Sequence, residues 1–381
     1  MLKTKNRSVF FGLAAWTLAA TLAGTASSAA QAQSYQLLDL GYLGGGPGGF
    51  FSQATGINAQ GQVVGISSAF DNGASRQYGF VWNAGSMSPL LPLGNTGFTS
   101  YTGGINNAGQ IAGTSYTAGQ AAVHTVRWQL GNSASTDLGT GLAFSFGNAI
   151  NNSGVIGGHE NNQAARWSAS NTKQLLPSLG GSQGFVYGLN DAGLAVGESL
   201  TIADVTSRAT LWNAAGQASD LGTLAGGSFS WATGINSAGH VVGASDLNGN
   251  PNISHATLWR NGQVLDLGTL GGQYSDARAI NTGGLVVGGS YLAGDTVQHA
   301  MLWNGSTLLD LNALVNAAGA GFAYLEVATA LNDSGQIVGN GITLNGQTHA
   351  FLLTPVPEPQ TWLLMFCGLA GLALLRRRKA S

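Results

Sequence analysis

A short motif that recurs along the chain is the feature that most constrains its fold. An Ile or Leu is followed by Asn, and glycines stand three and seven residues after that Asn. The seven copies are centred on Asn58, Asn106, Asn151, Asn190, Asn236, Asn281 and Asn332, at intervals of 39 to 51 residues. A self-similar period of this length is typical of propellers and solenoids. The 60 glycines also disfavour long helices, because each interior Gly costs about 1 kcal/mol relative to Ala.

Two further motifs keep the same period and divide each unit into four short strands. A strand that ends in an aromatic or aliphatic residue recurs at Trp82, Trp128, Trp167, Trp212, Trp259, Trp303 and Leu353. Asp-Leu-Gly recurs at Asp39, Asp137, Asp220 and Asp266. We name the strands a (ending at the Asn), b (after the Asn-x-x-Gly turn), c (ending at the Trp) and d (carrying Asp-Leu). Four strands in about 45 residues predict a propeller blade, and we expect the repeated Trp to lie in the apolar core between neighbouring blades.

The two ends of the repeat region are offset by one strand. The sequence SYQLLDLG, residues 34–41, is a strand d with no a, b or c before it, and HAFLL, residues 349–353, is a strand c with no d after it. In a closed ring the first strand would complete the last blade and leave no exposed sheet edge. The sequence therefore predicts an all-β, seven-bladed β-propeller over residues 33–354, closed by its N-terminal strand.

The repeat resembles the HAF repeat of extracellular proteins, whose His-Ala-Phe is intact at His349-Ala350-Phe351. The resemblance covers nearly all of residues 35–353. It implies an extracellular bacterial protein and supplies no biochemical activity.

The N-terminal 32 residues are typical of a secretory signal peptide. Lys3, Lys5 and Arg7 precede an apolar run, and Ala30-Gln31-Ala32 is a small-x-small cleavage site. We expect signal peptidase to cleave after Ala32 and the chain to be exported.

Residues 355–381 combine three elements. Val356-Pro357-Glu358-Pro359 is followed by an apolar stretch, residues 361–375, which at 15 residues is shorter than the roughly 20 that span a bilayer. A basic end follows that would stay cytoplasmic, with Arg376, Arg377 and Arg378. The simplest interpretation is a short membrane anchor. The whole pattern resembles the PEP-CTERM sorting signal of Gram-negative bacteria, which implies an exosortase partner, removal of the helix, and a cell-surface or extracellular-matrix location with exopolysaccharide and biofilm nearby.

The charge balance of the processed chain is acidic. Between the two signals lie 15 acidic and 7 basic residues, a net charge of −8 (7 − 15) if cleavage falls near the Pro-Glu-Pro. Nucleic-acid binding needs clustered Lys and Arg, so we expect no nucleic-acid partner. The one cysteine, Cys367, lies in the C-terminal signal, which leaves no disulfide for the propeller. We expect a monomer without a cofactor or metal.

Four histidines occupy one repeat position, four residues before the end of strand c: His124, His255, His299 and His349. Metal binding is one interpretation, but equivalent positions on different blades lie too far apart to share an ion. We favour a structural hydrogen bond to the Asp of a neighbouring strand d.

No catalytic sequence motif is present, and we expect a binding or structural protein rather than an enzyme. Carboxylates outside the repeat consensus, Glu160, Glu198, Asp276 and Glu326, leave open a propeller-type glycan hydrolase or lyase, which would need two of them within roughly 5–10 Å.

A set of aromatic residues stands five or seven residues before the motif Asn, where strand d passes to the next strand a. The members are Phe51, Tyr101, Phe146, Phe185, Trp231 and Tyr274. They either form a ligand face on which sugar rings stack or fill space between blades. The first interpretation predicts an exopolysaccharide-binding protein, and the second favours a protein-binding scaffold of the matrix.

Overall fold

The computed structural model describes residues 34–44, 50–71, 73–95 and 99–356. The predictions on Ala32, on Pro357, Glu358 and Pro359, and on residues 376–378 lie outside the described residues. The described chain is all-β, with short 3₁₀ turns at Leu93–Asn95, Ala118–Gln120, Ile202–Asp204, Leu311–Leu314 and Ala318–Ala320.

The strands follow the repeat period. In the first half of the chain they are β1 (Tyr35–Asp39), β2 (Ser52–Ile57), β3 (Val63–Asp71), β4 (Ala74–Asn83), β5 (Ser86–Leu90), β6 (Ser100–Ile105), β7 (Gln110–Tyr116), β8 (Val123–Gln129), β9 (Asn132–Asp137), β10 (Ser145–Ile150), β11 (Ile156–Glu160), β12 (Gln163–Trp167) and β13 (Lys173–Leu175). In the second half they are β14 (Gly180–Leu189), β15 (Ala195–Thr201), β16 (Ser207–Trp212), β17 (Ala218–Asp220), β18 (Ser230–Ile235), β19 (Val241–Leu247), β20 (Asn250–Arg260), β21 (Gln263–Asp266), β22 (Gly271–Ile280), β23 (Val286–Leu292), β24 (Gln298–Trp303), β25 (Leu308–Asp310), β26 (Phe322–Leu331), β27 (Ile337–Thr343) and β28 (Thr348–Pro355).

Consecutive strands pair antiparallel in groups of four. Four sheets contain β2–β5, β6–β9, β10–β13 and β14–β17, each in chain order. Strands β18–β21 and β22–β25 repeat the pattern and are joined by one parallel bridge, Ser254 to Tyr274. The short 39-residue interval before Asn190 holds β11–β13, which complete an ordinary four-stranded group with β10, and then β14.

The first strand belongs to the sheet of the last repeat. Strand β1 pairs antiparallel with β28, so that Gln36 lies opposite Thr354 and Leu38 opposite Leu352. The resulting sheet has the order β1-β28-β27-β26. The four strands of this sheet thus come from two segments of the chain, β1 and β26–β28, which are more than 250 residues apart.

Neighbouring repeats are held together by apolar side chains. Each of seven hydrophobic clusters combines residues of two repeats, and one of them joins the last repeat to the first through Val338 and Leu352 packed with Val63 and Phe80. The Trp that ends strand c is buried in all six repeats that have one, and in each it belongs to one of these clusters. The prediction that this Trp packs between neighbouring repeats is confirmed. The indole N–H of Trp212 donates to the carbonyl of Pro177 in the preceding repeat.

The motif asparagines form a hydrogen-bonded ring. The Nδ2 of each Asn donates to the backbone carbonyl of the next motif Asn, at 3.0–3.3 Å, and Asn332 donates to Asn58 across the chain ends. The Oδ1 of the same residues accepts from backbone N–H groups further along the turn, as Asn236 does from Ala238 and His240. The predicted tight turn is confirmed, and its Asn also links each repeat to the next.

The second motif glycine, seven residues after the Asn, is required because a larger residue would collide with the neighbouring strand. In every repeat strand a carries a bulge three residues before the Asn, as between Ala232 and Gly234 in β18. The bulge brings a strand-a carbonyl onto the Cα of the second Gly, and a Cβ on Gly243 would lie 2.0 Å from the Trp231 oxygen. The equivalent distance is 1.7–2.1 Å in all seven repeats. Only glycine allows the two strands to approach this closely.

Candidate functional site

A cavity of about 950 Å³ lies at the start of the a strands. Strand β18 shows its position, since Trp231 and Thr233 line this cavity while Ile235 and Asn236 line a second cavity of about 280 Å³. The smaller cavity is surrounded by the Asn ring. The two cavities therefore lie at opposite ends of the same strands.

The bulges supply much of the wall of the larger cavity. The residue at the bulge, three before the motif Asn, lines the cavity in five of the repeats: Thr55, Tyr187, Thr233, Arg278 and Thr329. A bulge turns its extra residue out of the regular alternation of a strand and re-aims its side chain. Our sequence reasoning missed this position, although counting three residues back from each motif Asn would have found it.

Two of the six predicted aromatics line the cavity. Trp231 and Tyr274 are half-buried and face it, together with Tyr187 and Tyr291, which we did not predict. The Tyr274 and Tyr291 rings meet edge to face with centroids 6.0 Å apart.

Trp231 is supported by the residues that directly precede it in the chain. Its ring packs on Phe229, with centroids 4.9 Å apart. The carboxylate of Asp246, which is fully buried, accepts hydrogen bonds from the backbone N–H groups of Ser228 and Phe229 and from the Ser228 hydroxyl at 2.8–3.0 Å. The indole is thus supported on a fixed backbone.

The remaining four predicted aromatics are half-buried and are not among the residues that line the cavity. Phe146 stacks on His159 at a centroid distance of 4.6 Å, and Phe185 meets the same imidazole edge-on at 4.8 Å. Burial lowers the pKa of His159 to about 4, so the ring is neutral at pH 7. Burial also raises the pKa of Tyr101. Phe51 stands at the entry to β2, where its backbone pairs with Ser68.

Polar groups face the cavity beside the aromatic rings. The Nε of Arg278 donates to Oδ2 of Asp276 at 2.7 Å, and Nε2 of Gln298 lies 3.5 Å from Oδ1 of the same carboxylate. The hydroxyl of Tyr187 donates to Glu198 at 2.8 Å. Burial, with the charge of Glu198 and this hydrogen bond, raises the pKa of Tyr187 well above its usual value.

The four equivalent histidines each meet an aspartate of strand d. Nδ1 lies 2.7–2.9 Å from the nearest carboxylate oxygen in the pairs His124–Asp137, His255–Asp266, His299–Asp310 and His349–Asp39. The predicted hydrogen bond is confirmed. In the last pair the two residues come from the opposite ends of the repeat region.

Three of the four carboxylates that we considered for catalysis are bound to other groups. Glu160 accepts from the Lys173 ammonium, Glu198 from Tyr187 and Ser207, and Asp276 from Arg278. Among the residues that the structure describes, no group of three or more His, Cys, Asp or Glu side chains is placed to hold a metal ion.

Comparison with known proteins supports the sorting signal and the fold. The PEP-CTERM protein-sorting motif matches residues 355–379. This match supports processing by an exosortase, export, and a surface or extracellular location in a Gram-negative bacterium. No curated protein matches the sequence. Within the described part of the chain, no helix is long and apolar enough to cross a membrane.

Solved β-propeller structures are similar in fold. The β-propeller domain of the Trilobed protease from Pyrococcus furiosus has a TM-score of 0.50 at 11% identity, covering 81% of this chain and 98% of that one. A puromycin-hydrolyzing peptidase from Mycobacterium tuberculosis has a TM-score of 0.53 at 10% identity, over 80% of this chain and 53% of that one. An oligogalacturonate lyase solved with manganese has a TM-score of 0.50 at 12% identity, over 79% and 87%. At these identities the likeness concerns the fold alone.

Proposed function

We propose that the chain is an exported, non-enzymatic β-propeller of seven blades that binds a glycan of the extracellular matrix in the larger cavity. Closure of the ring by the N-terminal strand is supported by the pairing of β1 with β28 and by the return of the Asn ring from Asn332 to Asn58. The cluster that packs the last repeat against the first supports the same arrangement.

The observation that carries the glycan proposal is the composition of the cavity wall. Trp231 and Tyr274 offer aromatic faces, and a sugar ring presents apolar C–H groups that pack on such faces. Asp276, Arg278 and Asn340 stand among them and offer hydrogen-bond partners for hydroxyl groups. A concave, largely preformed pocket that combines apolar walls with a few fixed polar groups is the usual form of a small-ligand site.

A propeller-type glycan hydrolase or lyase is the alternative within the same site. The pairing of Asp276 with Arg278 favours binding over catalysis, because a carboxylate oxygen that already accepts from a guanidinium is not free to act on a substrate. Release of reducing ends or of unsaturated products from the bound glycan would establish the alternative.

A scaffold that binds matrix proteins is the third candidate, and a pull-down from matrix extract would reveal it.

The proposal is tested by glycan binding to the full chain. The chain is purified in a non-glycosidic detergent, so that no detergent sugar competes, and titrated calorimetrically with extracellular polysaccharide and with a panel of defined oligosaccharides. We expect Trp231→Ala and Tyr274→Ala each to weaken binding about tenfold or more, because buried aromatic anchors dominate such sites.

Tyr101→Ala is the matched control. Tyr101 occupies the same repeat position as Trp231 and is also half-buried, but it does not line the cavity. The affinity of the Tyr101→Ala chain for the glycan should stay within about twofold of wild type. Circular dichroism verifies that all variants fold. Absence of binding to every glycan by the folded wild-type chain, or equal losses in Tyr101→Ala and Trp231→Ala, would contradict the proposed site.

A further inference from the structure

The charged side chains of the larger cavity are few. Among its described lining residues they are Asp276, Arg278 and Asp295, which give the cavity wall a formal charge of −1 at neutral pH. Asp295 accepts hydrogen bonds from the backbone N–H and the side-chain amide of Gln273, at 2.7 and 2.9 Å. Asp295 therefore holds the beginning of strand β22, next to Tyr274.

Arg278, the one basic side chain among the described residues that line the cavity, is already paired. Arg278 donates through Nε to Asp276, and the two side chains are 38% and 22% exposed, so they face the cavity without being freely solvated. The bulge in β22 places Arg278 beside Asp276, two residues earlier on the same strand. Gln298, on the third strand of that sheet, approaches the other oxygen of Asp276.

The Asp276–Arg278 pair should bind neutral and acidic sugars with different affinities. The hydroxyls of a neutral sugar can donate to Asp276 and accept from Arg278 without disturbing the pair. The carboxylate of a uronic acid, or a sulfate, would bring a second anion to a partly desolvated site whose cation is already neutralised. Like charges brought together in such a site repel each other, and a buried anion without a partner is strongly disfavoured.

We propose that the cavity selects uncharged sugar units, and that Asp276 is the specificity-determining residue that rejects acidic ones. This inference depends on the proposed function, because it names the class of glycan that the same cavity binds.

The test uses pairs of oligosaccharides that differ only in charge. Malto-, cello-, galacto- and manno-oligosaccharides are each compared with the counterpart in which C6 is oxidised to a carboxylate. For each pair that binds, we expect the wild-type full chain to prefer the neutral member at least tenfold. In Asp276→Asn the ratio should fall to threefold or less, because Arg278 is then free to hold the carboxylate.

Asp333→Asn is the matched control. Asp333 lines the smaller cavity at the opposite end of the a strands, and it accepts from the Thr282 N–H at 2.9 Å. Asn107 and Asn152 fill the same role in two other repeats. The substitution removes one negative charge and keeps the hydrogen bond, so the neutral-to-acidic ratio should stay as in wild type.

A second variant keeps the proposal testable if Asp276→Asn folds poorly. Arg278→Gln leaves Asp276 without its cation and should increase the preference for the neutral sugar beyond the wild-type ratio. Equal or tighter binding of acidic members by the wild-type chain, or an unchanged ratio in the folded Asp276→Asn chain, would overturn the inference while leaving glycan binding intact. Absence of binding to either member of every pair would instead overturn the proposed function itself.

Discussion

The His–Asp pairs show how single residues hold the outermost strand of a sheet. Asp266 is bonded to His255 and also accepts from the backbone N–H of Gly268 at 2.7 Å. Burial opposes its ionisation, but the hydrogen bonds from His255 and Gly268 and the nearby imidazole lower its pKa below the ordinary value. The carboxylate therefore stabilises the fold in its ionised form.

We expect Asp266→Ala to lower the free energy of unfolding by about 1 kcal/mol, since the carboxylate is part-exposed and its charge-assisted bonds are partly screened. Asp220→Ala is the control. Asp220 makes the same backbone bond, to Gly222 at 2.7 Å, but Arg208 stands where other repeats have the histidine. Urea denaturation should show the smaller loss in Asp220→Ala, and equal losses would mean that the imidazole contributes nothing.

The pH dependence follows from the direction of the pKa change. Because the pKa of Asp266 is lower in the folded than in the unfolded chain, its stabilisation is complete above the unfolded value of about 4 and disappears as the pH falls through the folded value. The difference in unfolding free energy between wild type and Asp266→Asn should shrink as the pH falls below about 4. A difference that grows below about pH 4 would contradict the low pKa.

The bulge in strand a is the element that builds the cavity, and the second motif glycine makes it sterically feasible. In strands β6 and β7, a Cβ on Gly113 would lie 2.1 Å from the Tyr101 carbonyl and 2.7 Å from the Trp128 ring. We expect Gly113→Ala to destabilise the chain by about 3 kcal/mol or more, because neither the backbone nor the buried indole can move away.

Gly104→Ala in the same pair of strands is the control. The nearest atom to its Cβ would be 3.8 Å away, and Ala149, Ala279 and Ala330 occupy the equivalent position in other repeats. It should be neutral or stabilise by up to about 1 kcal/mol, because alanine restricts the unfolded chain. If both variants shift the denaturation midpoint equally, the close approach at the bulge is not what the second glycine provides.

The sequence was informative about these elements where a periodic signal had one physical cause. The repeated Trp, the Asn turn, the offset of strand d and the His–Asp pairing were all predicted from residues at fixed spacing. The bulge was not, because it arises from the contact between a carbonyl of strand a and the glycine of strand b, which the alternation within one strand does not reveal. The six aromatics could not be separated for a similar reason. Phe146 and Phe185 pack on His159, whereas Trp231 packs on Phe229, and these partners lie on other strands or loops.

At the scale of the whole molecule, the proposed ring depends on one pairing between the chain ends. Strand β1 supplies the outer strand of the last sheet, and Asp39 there bonds to His349 across 310 residues of chain. If β1 left this position, the outer edge of β28 would be exposed, and unpaired edges promote association with other chains. Closure should therefore be measurable as a property of the intact protein.

We expect a cross-strand cysteine pair, Gln36→Cys with Thr354→Cys, to form a disulfide without reshaping the sheet. The two residues lie directly opposite each other, and both side chains are at least partly exposed. Cys367, the one natural cysteine, is replaced by Ser in the same chain to prevent mispairing. Because the bond would close a loop of roughly 300 residues, the chain-entropy argument gives an upper value of about 6 kcal/mol, and engineered disulfides typically deliver about 2–4 kcal/mol.

The matched control moves one cysteine two residues along, to Leu38→Cys with Thr354→Cys. These two positions are not opposite each other, because Leu38 lies opposite Leu352. Air oxidation monitored by thiol titration and by mobility in non-reducing gels should give rapid cross-linking in the first pair and little in the second, with a higher thermal midpoint only in the first. If the two pairs oxidise equally slowly, β1 does not hold this register in solution. If they oxidise equally fast, the strand slides or detaches. Either result would mean that the ring is open at the junction of its first and last repeats.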